Sequence, residues 1–214
     1  MRLYLASSGV GNQPRALLSL LVDGRRAAVI ANALDDADQR VRAEAVASEV
    51  GYLRQLGLDV VEVDLRPYFG KSEQLARALA SFNLLWVCGG NAFVLRRAFR
   101  QSWFDSILKR LLVEDAVVYG GNSAGVCVLS PSLHGFELVD DSTNVPDGYQ
   151  ADIIWEGLGI LPYRVAPHYQ SAPPELAAAI DQLVRYYVER HLHFRALRDG
   201  EALVINGDEE QVVS

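Results

Sequence analysis

With 214 residues, 50% of them hydrophobic, the chain is long enough to bury a sizeable core, which excludes a disordered tail or a miniprotein dependent on staples. Its 27 acidic and 20 basic residues leave a formal net charge of -7. Such a surface repels phosphate backbones, so nucleic acid is not an expected partner. The densest basic positions, Arg96-Arg97 with Arg100 and Lys109-Arg110, fall within helical patterns and read as solvated faces.

In chain order, short apolar runs alternate with segments of helical period, the pattern of a mostly parallel sheet covered by helices. The first run, Arg2 to Ala6, is too short for a secretory apolar region of about 7–15 residues. Further strand-like runs are Ala27 to Ala33, Val60 to Leu65, Leu84 to Cys88, Ala116 to Tyr119, Tyr163 to Ala166 and Ala202 to Ile205. Helical periods cover Asp38 to Leu56, Ser72 to Phe82, Ala92 to Leu112 and Pro174 to His191. The longest irregular stretch, Ser130 to Gly159, is long enough to carry function or small strands of its own. Without repeats or composition shifts, one α/β domain over 1–214 is expected. No run approaches the roughly 18 apolar residues of a membrane span. Cys88 and Cys127 lie in apolar stretches and are expected reduced, consistent with a cytoplasmic location and no membrane partner.

The segment Gly121-Asn122-Ser123-Ala124-Gly125 follows a strand and opens an apolar segment, the setting in which Gly-x-Ser-x-Gly presents a serine hydroxyl on a tight turn. A second glycine turn, Gly89-Gly90-Asn91, ends the run Leu84 to Cys88. In a parallel sheet both strand ends lie on the ligand-binding edge, so the Gly90 and Ala124 amides are candidates for an oxyanion hole, with Asn91 and Asn122 beside them as candidate substrate contacts. A serine needs a base. His168 follows the strand-like Tyr163 to Ala166 and is the candidate, while His134, His191 and His193 show no metal-ligand spacing, so no metal or other cofactor is expected. Asp199, just before the last strand, is the first choice for the carboxylate behind the histidine, with Asp140, Asp141 and Asp147 as rivals that also read as turn formers.

Four blocks in order, Cys88 to Phe93, Gly121 to Gly125, Gly159 to Pro162 leading to Ala166-Pro167-His168-Tyr169, and Ala196 to Leu203, resemble the S51 serine peptidases, the family of dipeptidase E and the cyanophycinases. The resemblance implies a flavodoxin-like α/β fold with helices on both faces, similar to class I glutamine amidotransferases. It also implies a Ser-His-Asp/Glu arrangement with Ser123 as nucleophile, His168 as base and Asp199 as acid, and with oxyanion amides from Gly90 and Ala124. Aspartyl dipeptidases of the family hold the acidic substrate side chain with an arginine after the histidine, but Gln170 to Ala179 contains no basic residue here. Strict aspartyl preference is therefore not expected, and only Arg164 or Arg198 could substitute.

Hydrolysis of short peptides through an acyl-enzyme is the leading expectation, with a small peptide as partner; self-association into a homo-oligomer stays open. Two alternatives follow from the same residues: an amidase or an esterase, the former drawing on Cys127 and the latter on His193, and a non-catalytic module cradling a small anion on the glycine turns.

Overall fold

The computed structural model describes residues 1–22 and 24–214. Strands β1 (Arg2–Ala6), β2 (Arg26–Ile30), β3 (Asp59–Glu62), β4 (Leu84–Val87), β5 (Val118–Asn122), β8 (Ala202–Asn206) and β9 (Glu209–Val213) form a seven-stranded sheet in the order β3-β2-β4-β5-β1-β8-β9. Its first five members run parallel, and β8 and β9 close one side antiparallel. Two further strands, β6 (Arg164–Ala166) and β7 (Phe194–Ala196), pair parallel in a separate two-stranded sheet.

Alternation along β1 shows how the layers are built. Leu3 and Leu5 point into one apolar cluster, and Tyr4 and Ala6 into another on the opposite face. Helices α1 (Pro14–Leu20) and α2 (Gln39–Gln55) cover the second cluster through Leu17, Leu20, Val46 and Leu53. Helices α3 (Ser72–Leu79), α4 (Ala92–Ser102), α5 (Phe104–Val113), α6 (Ala124–Cys127) and α7 (Pro174–Glu189) pack on the first. The α/β sheet with helices on both faces is as expected. The central strands β4 and β5 are buried along their whole length, which is why they read as continuous apolar or small-residue runs. Among the described residues, no helix is long and apolar enough to cross a membrane.

Several local readings need correction. The single helix expected over Ala92 to Leu112 is two, broken at Trp103, which adopts a left-handed φ of 64°. The break lets each helix bury its own face, and Phe99 and Phe104 meet across it with ring centroids 4.5 Å apart. Arg96 and Arg97 are not a solvated face: they are only 5% and 1% exposed. Their guanidinium groups hold the irregular segment that follows α6, Arg96 donating to the Glu156 carbonyl at 2.9 Å and Arg97 to the Ser142 carbonyl at 2.9 Å. Arg96 is also paired with Asp105 at 3.2 Å, and this ion pair together with the distant backbone carbonyls offsets the burial of the cations, a compensation that helical periodicity does not reveal. That segment, Ser130 to Gly159, contains a single 3-10 turn and one isolated bridge, Ser132 with Glu156, in place of small strands. Finally, of the run Tyr163 to Ala166 only Arg164–Ala166 forms a strand, and it belongs to the small sheet and not to the main one.

Candidate active site

The parallel strands β4 and β5 are neighbours, with Val87 opposite Gly121, so their glycine turns emerge side by side on one sheet edge. Ser123 stands one residue beyond β5 with φ 46° and ψ -114°, a conformation that costs a non-glycine residue roughly 1–3 kcal/mol. The turn is compressed against β4: a Cβ built on Gly125 would collide with the Val87 carbonyl oxygen. Gly90 has φ 139°, and a Cβ there would collide with the Ala33 carbonyl oxygen. Among the described residues the Gly90 and Ala124 amides donate to no protein acceptor.

The small sheet delivers the other two side chains. Ala166 of β6 pairs with Ala196 of β7, and the pairing continues as the Leu197 amide donates to the Ala166 carbonyl at 3.0 Å and the Tyr169 amide to the Leu197 carbonyl at 2.9 Å. Both chains then turn together, His168 after β6 and Asp199 after β7. His168 Nδ1 lies 2.8 Å from Asp199 Oδ1, and His168 Nε2 lies 3.1 Å from Ser123 Oγ. A carboxylate only accepts, so it holds the Nδ1 proton and leaves the Nε2 lone pair facing the serine hydroxyl. The three residues of first choice are thus brought together.

The rivals Asp140 and Asp141 serve other groups. Asp140 accepts the Ala92 amide at 2.8 Å at the start of α4, and Asp141 accepts from the Thr143 amide and hydroxyl as a turn former. Burial raises the Asp140 pKa to about 6, with Asp36 adding to the rise and the Ala92 amide opposing it. His193 precedes β7, at the end remote from Asp199, and its carbonyl accepts the Arg164 amide. Cys88 and Cys127 are free and buried, and burial pushes both thiols well above their ordinary pKa, which disfavours a nucleophilic thiolate.

Asn91 and Asn122 are committed to the scaffold. Asn91 Oδ1 accepts the Phe93 and Val94 amides as the cap of α4, and its Nδ2 donates to the Asp141 carbonyl at 2.9 Å. Asn122 Oδ1 accepts the Gly89 amide at 2.8 Å, and its Nδ2 donates to Glu49 Oε1 at 2.9 Å. Of the two arginines considered for an acidic substrate, Arg164 has its guanidinium carbon 5.8 Å from the Tyr187 ring centroid, among core aromatics. Arg198 adjoins Asp199 and donates to Gln170 Oε1 at 2.7 Å. Among the described residues, no group of three or more His, Cys, Asp or Glu side chains is placed to hold a metal ion.

Sequence reasoning missed Ser7. This fully buried residue follows β1, which pairs with β5 on one side and β8 on the other. Its hydroxyl accepts the His168 amide at 2.7 Å and lies 2.9 Å from Asp199 Oδ1, to which it can donate, with the Leu197 carbonyl as a second acceptor at 3.2 Å. It ties the histidine backbone, whose φ is 60°, to the carboxylate. Only its position just after a strand end hinted at this.

The model of peptidase family S51 matches residues 15–213. The chain belongs to peptidase family S51. Among this S51 chain's relatives is a Drosophila melanogaster protein named "Probable alpha-aspartyl dipeptidase", 26% identical over 136 residues that make up 62% of this chain and 53% of that one. A Streptomyces coelicolor protein named Peptidase E is 29% identical over 194 residues, 86% of this chain and 70% of that one. The match therefore spans about half the length of the fly relative. The fold is shared with a Listeria monocytogenes structure named for peptidase E, at TM-score 0.77 and 22% identity over 99% of this chain and 97% of that one. It is shared also with a peptidase from an acI-B1 Actinobacterium, at TM-score 0.72 and 19% identity over 100% and 87% of the two chains.

Proposed function

We propose that this chain is a serine peptidase for short peptides, with Ser123 as nucleophile, His168 as base and Asp199 as the carboxylate that orients and stabilises the imidazolium. The line of contacts from Asp199 through His168 to the Ser123 hydroxyl, at 2.8 and 3.1 Å, carries the reading. His168 Nε2 takes the hydroxyl proton as Oγ attacks the scissile carbonyl. The C–N bond then breaks as the imidazolium returns that proton to the departing amine, leaving an acyl ester on Ser123. Water gives a proton to the same nitrogen as it attacks the ester, and the proton passes to Oγ as the carboxylic acid leaves. The unpartnered Gly90 and Ala124 amides support an oxyanion hole, in which each donor contributes about 2.7–4 kcal/mol to the transition state.

The dipeptidase name of the fly relative supports dipeptides as substrates, while the absence of a basic residue from Gln170 to Ala179 supports weak discrimination for aspartate. A serine-directed fluorophosphonate should add mass at Ser123, and His168→Ala should prevent it. A native chain that takes no label would sink the mechanism. In a panel of dipeptides with Asp, Glu, Ala or Leu first, cleavage should extend beyond Asp. A strict requirement for Asp would overturn the specificity reading and point to Arg198.

A further inference from the structure

The hydrogen bonds that enter the serine turn from behind lead to a residue outside the trio. Glu49 lies on α2, on the sheet face opposite α4, and both of its oxygens are engaged. Oε2 accepts the indole N–H of Trp86 on β4 at 3.1 Å, and Oε1 accepts Asn122 Nδ2–H at 2.9 Å. Asn122 Oδ1 in turn accepts the Gly89 amide at 2.8 Å. A side-chain amide can be turned either way, and its neighbours decide which. Because a carboxylate has only acceptors to offer, Glu49 draws the NH2 group to itself and leaves the oxygen facing Gly89. The peptide so held leads into Gly90, and Asn122 immediately precedes Ser123. One acidic side chain therefore touches, through a single amide, both glycine turns of the site.

We infer that Glu49 is a positioning residue: its carboxylate sets the orientation of the Asn122 amide, and through it the Gly89–Gly90 peptide that bears one oxyanion donor. This rests on the proposed roles of Ser123 and Gly90. Burial raises the Glu49 pKa while the bonds from Asn122 and Trp86 oppose the rise, in keeping with a carboxylate held by two donors. The residue also forms part of the wall of a cavity of about 300 Å³ shared with Asn12, Tyr52 and Asp199, so its substitution does not bury a new group in a close-packed core.

The test is a charge exchange. Glu49→Gln keeps the size but puts an NH2 group, which only donates, in place of one of the two oxygens that accept separately from Trp86 and Asn122, so one donor loses its partner. Its kcat on the best dipeptide should fall about tenfold to a hundredfold, short of the 10²–10³ typical of deleting a donor, with KM within about twofold because the oxyanion exists only in the transition state. In the double variant Glu49→Gln with Asn122→Asp, the glutamine oxygen accepts from Trp86 and its NH2 donates to one oxygen of the introduced carboxylate. The other oxygen of that carboxylate accepts from Gly89. The double variant should exceed the kcat of Glu49→Gln by at least about threefold, whereas Asn122→Asp alone, with two carboxylates face to face, should be slower than the double. Native kcat in Glu49→Gln, a loss confined to KM, or a double variant no better than Glu49→Gln would overturn the inference while fluorophosphonate labelling of native Ser123 keeps the peptidase reading intact. Absence of that label in the native chain overturns both. Thermal unfolding of each variant verifies folding, and if Glu49→Gln is unfolded while the double variant is folded and active, the reciprocal hydrogen bonds are upheld by that rescue.

Discussion

The turns after β4 and β5 leave adjacent parallel strands on the same edge, yet they treat the following helix in opposite ways. After β4, the first three amides of the eleven-residue α4 are all consumed: Ala92 donates to Asp140, and Phe93 and Val94 donate to Asn91. After β5, the four-residue α6 has no side-chain cap, and the Ala124 amide stays open. The unusual backbone angle also falls differently, on a glycine at φ 139° in one turn and on Ser123 at φ 46° in the other. A glycine suffices where only the peptide matters. Where a side chain has to be presented at the tip of the turn, as the proposed role of Ser123 requires, the strain has to be accepted and the surrounding contacts must hold it.

Three measurements would break or sharpen that contrast. The largest effect is expected from Gly90→Ala, which combines a left-handed φ with a Cβ driven into a carbonyl oxygen. It should cost about 3 kcal/mol or more, and Gly125→Ala, facing Val87 without the φ penalty, somewhat less. Urea unfolding reads both, and near-neutral values would show that the turns are not fixed by close contact. Next is the cap that only the β4 turn possesses. The Asp140 pKa, raised by burial to about 6, means that the folded protein holds a proton that the unfolded chain releases at lower pH. The stability this proton confers should therefore be fully present below about pH 4 and decline as pH rises through 6, by about 2–3 kcal/mol, with Asp36 acting in the same direction. Asp140→Asn should flatten that slope in urea titrations from pH 4 to 7, and an unchanged slope would contradict the assignment. Smallest is the relief of strain at the serine: Ser123→Gly should be about 1 kcal/mol more stable than Ser123→Ala, with both inactive. Equal melting temperatures would mean that the elbow stores little.

Much of this site was legible because its chemistry is local. A strand, two glycines and a serine within a few residues announce a tight turn, and the run Leu84 to Cys88 announced its neighbour. Arg96 and Arg97 misled because a helical pattern records spacing and not what lies outside the helix; their partners, Glu156 and Ser142, are 60 and 45 residues away. The strand β7, with only Phe194 to Ala196 and partly exposed, was too short to show alternation.

The sequence by itself determined the alternating α/β architecture, the serine turn and the small set of histidines and acids from which a relay could be drawn, since periodicity and turn chemistry act over a few residues. Tertiary structure decided which acid faces the histidine, because the β6–β7 register brings together residues 31 apart in the chain. It likewise recruited Ser7, 161 residues from His168, and Glu49, 73 residues from Asn122. A hydrogen bond requires its partners within about 3 Å, and only the packed sheet supplies that proximity to groups so distant in sequence.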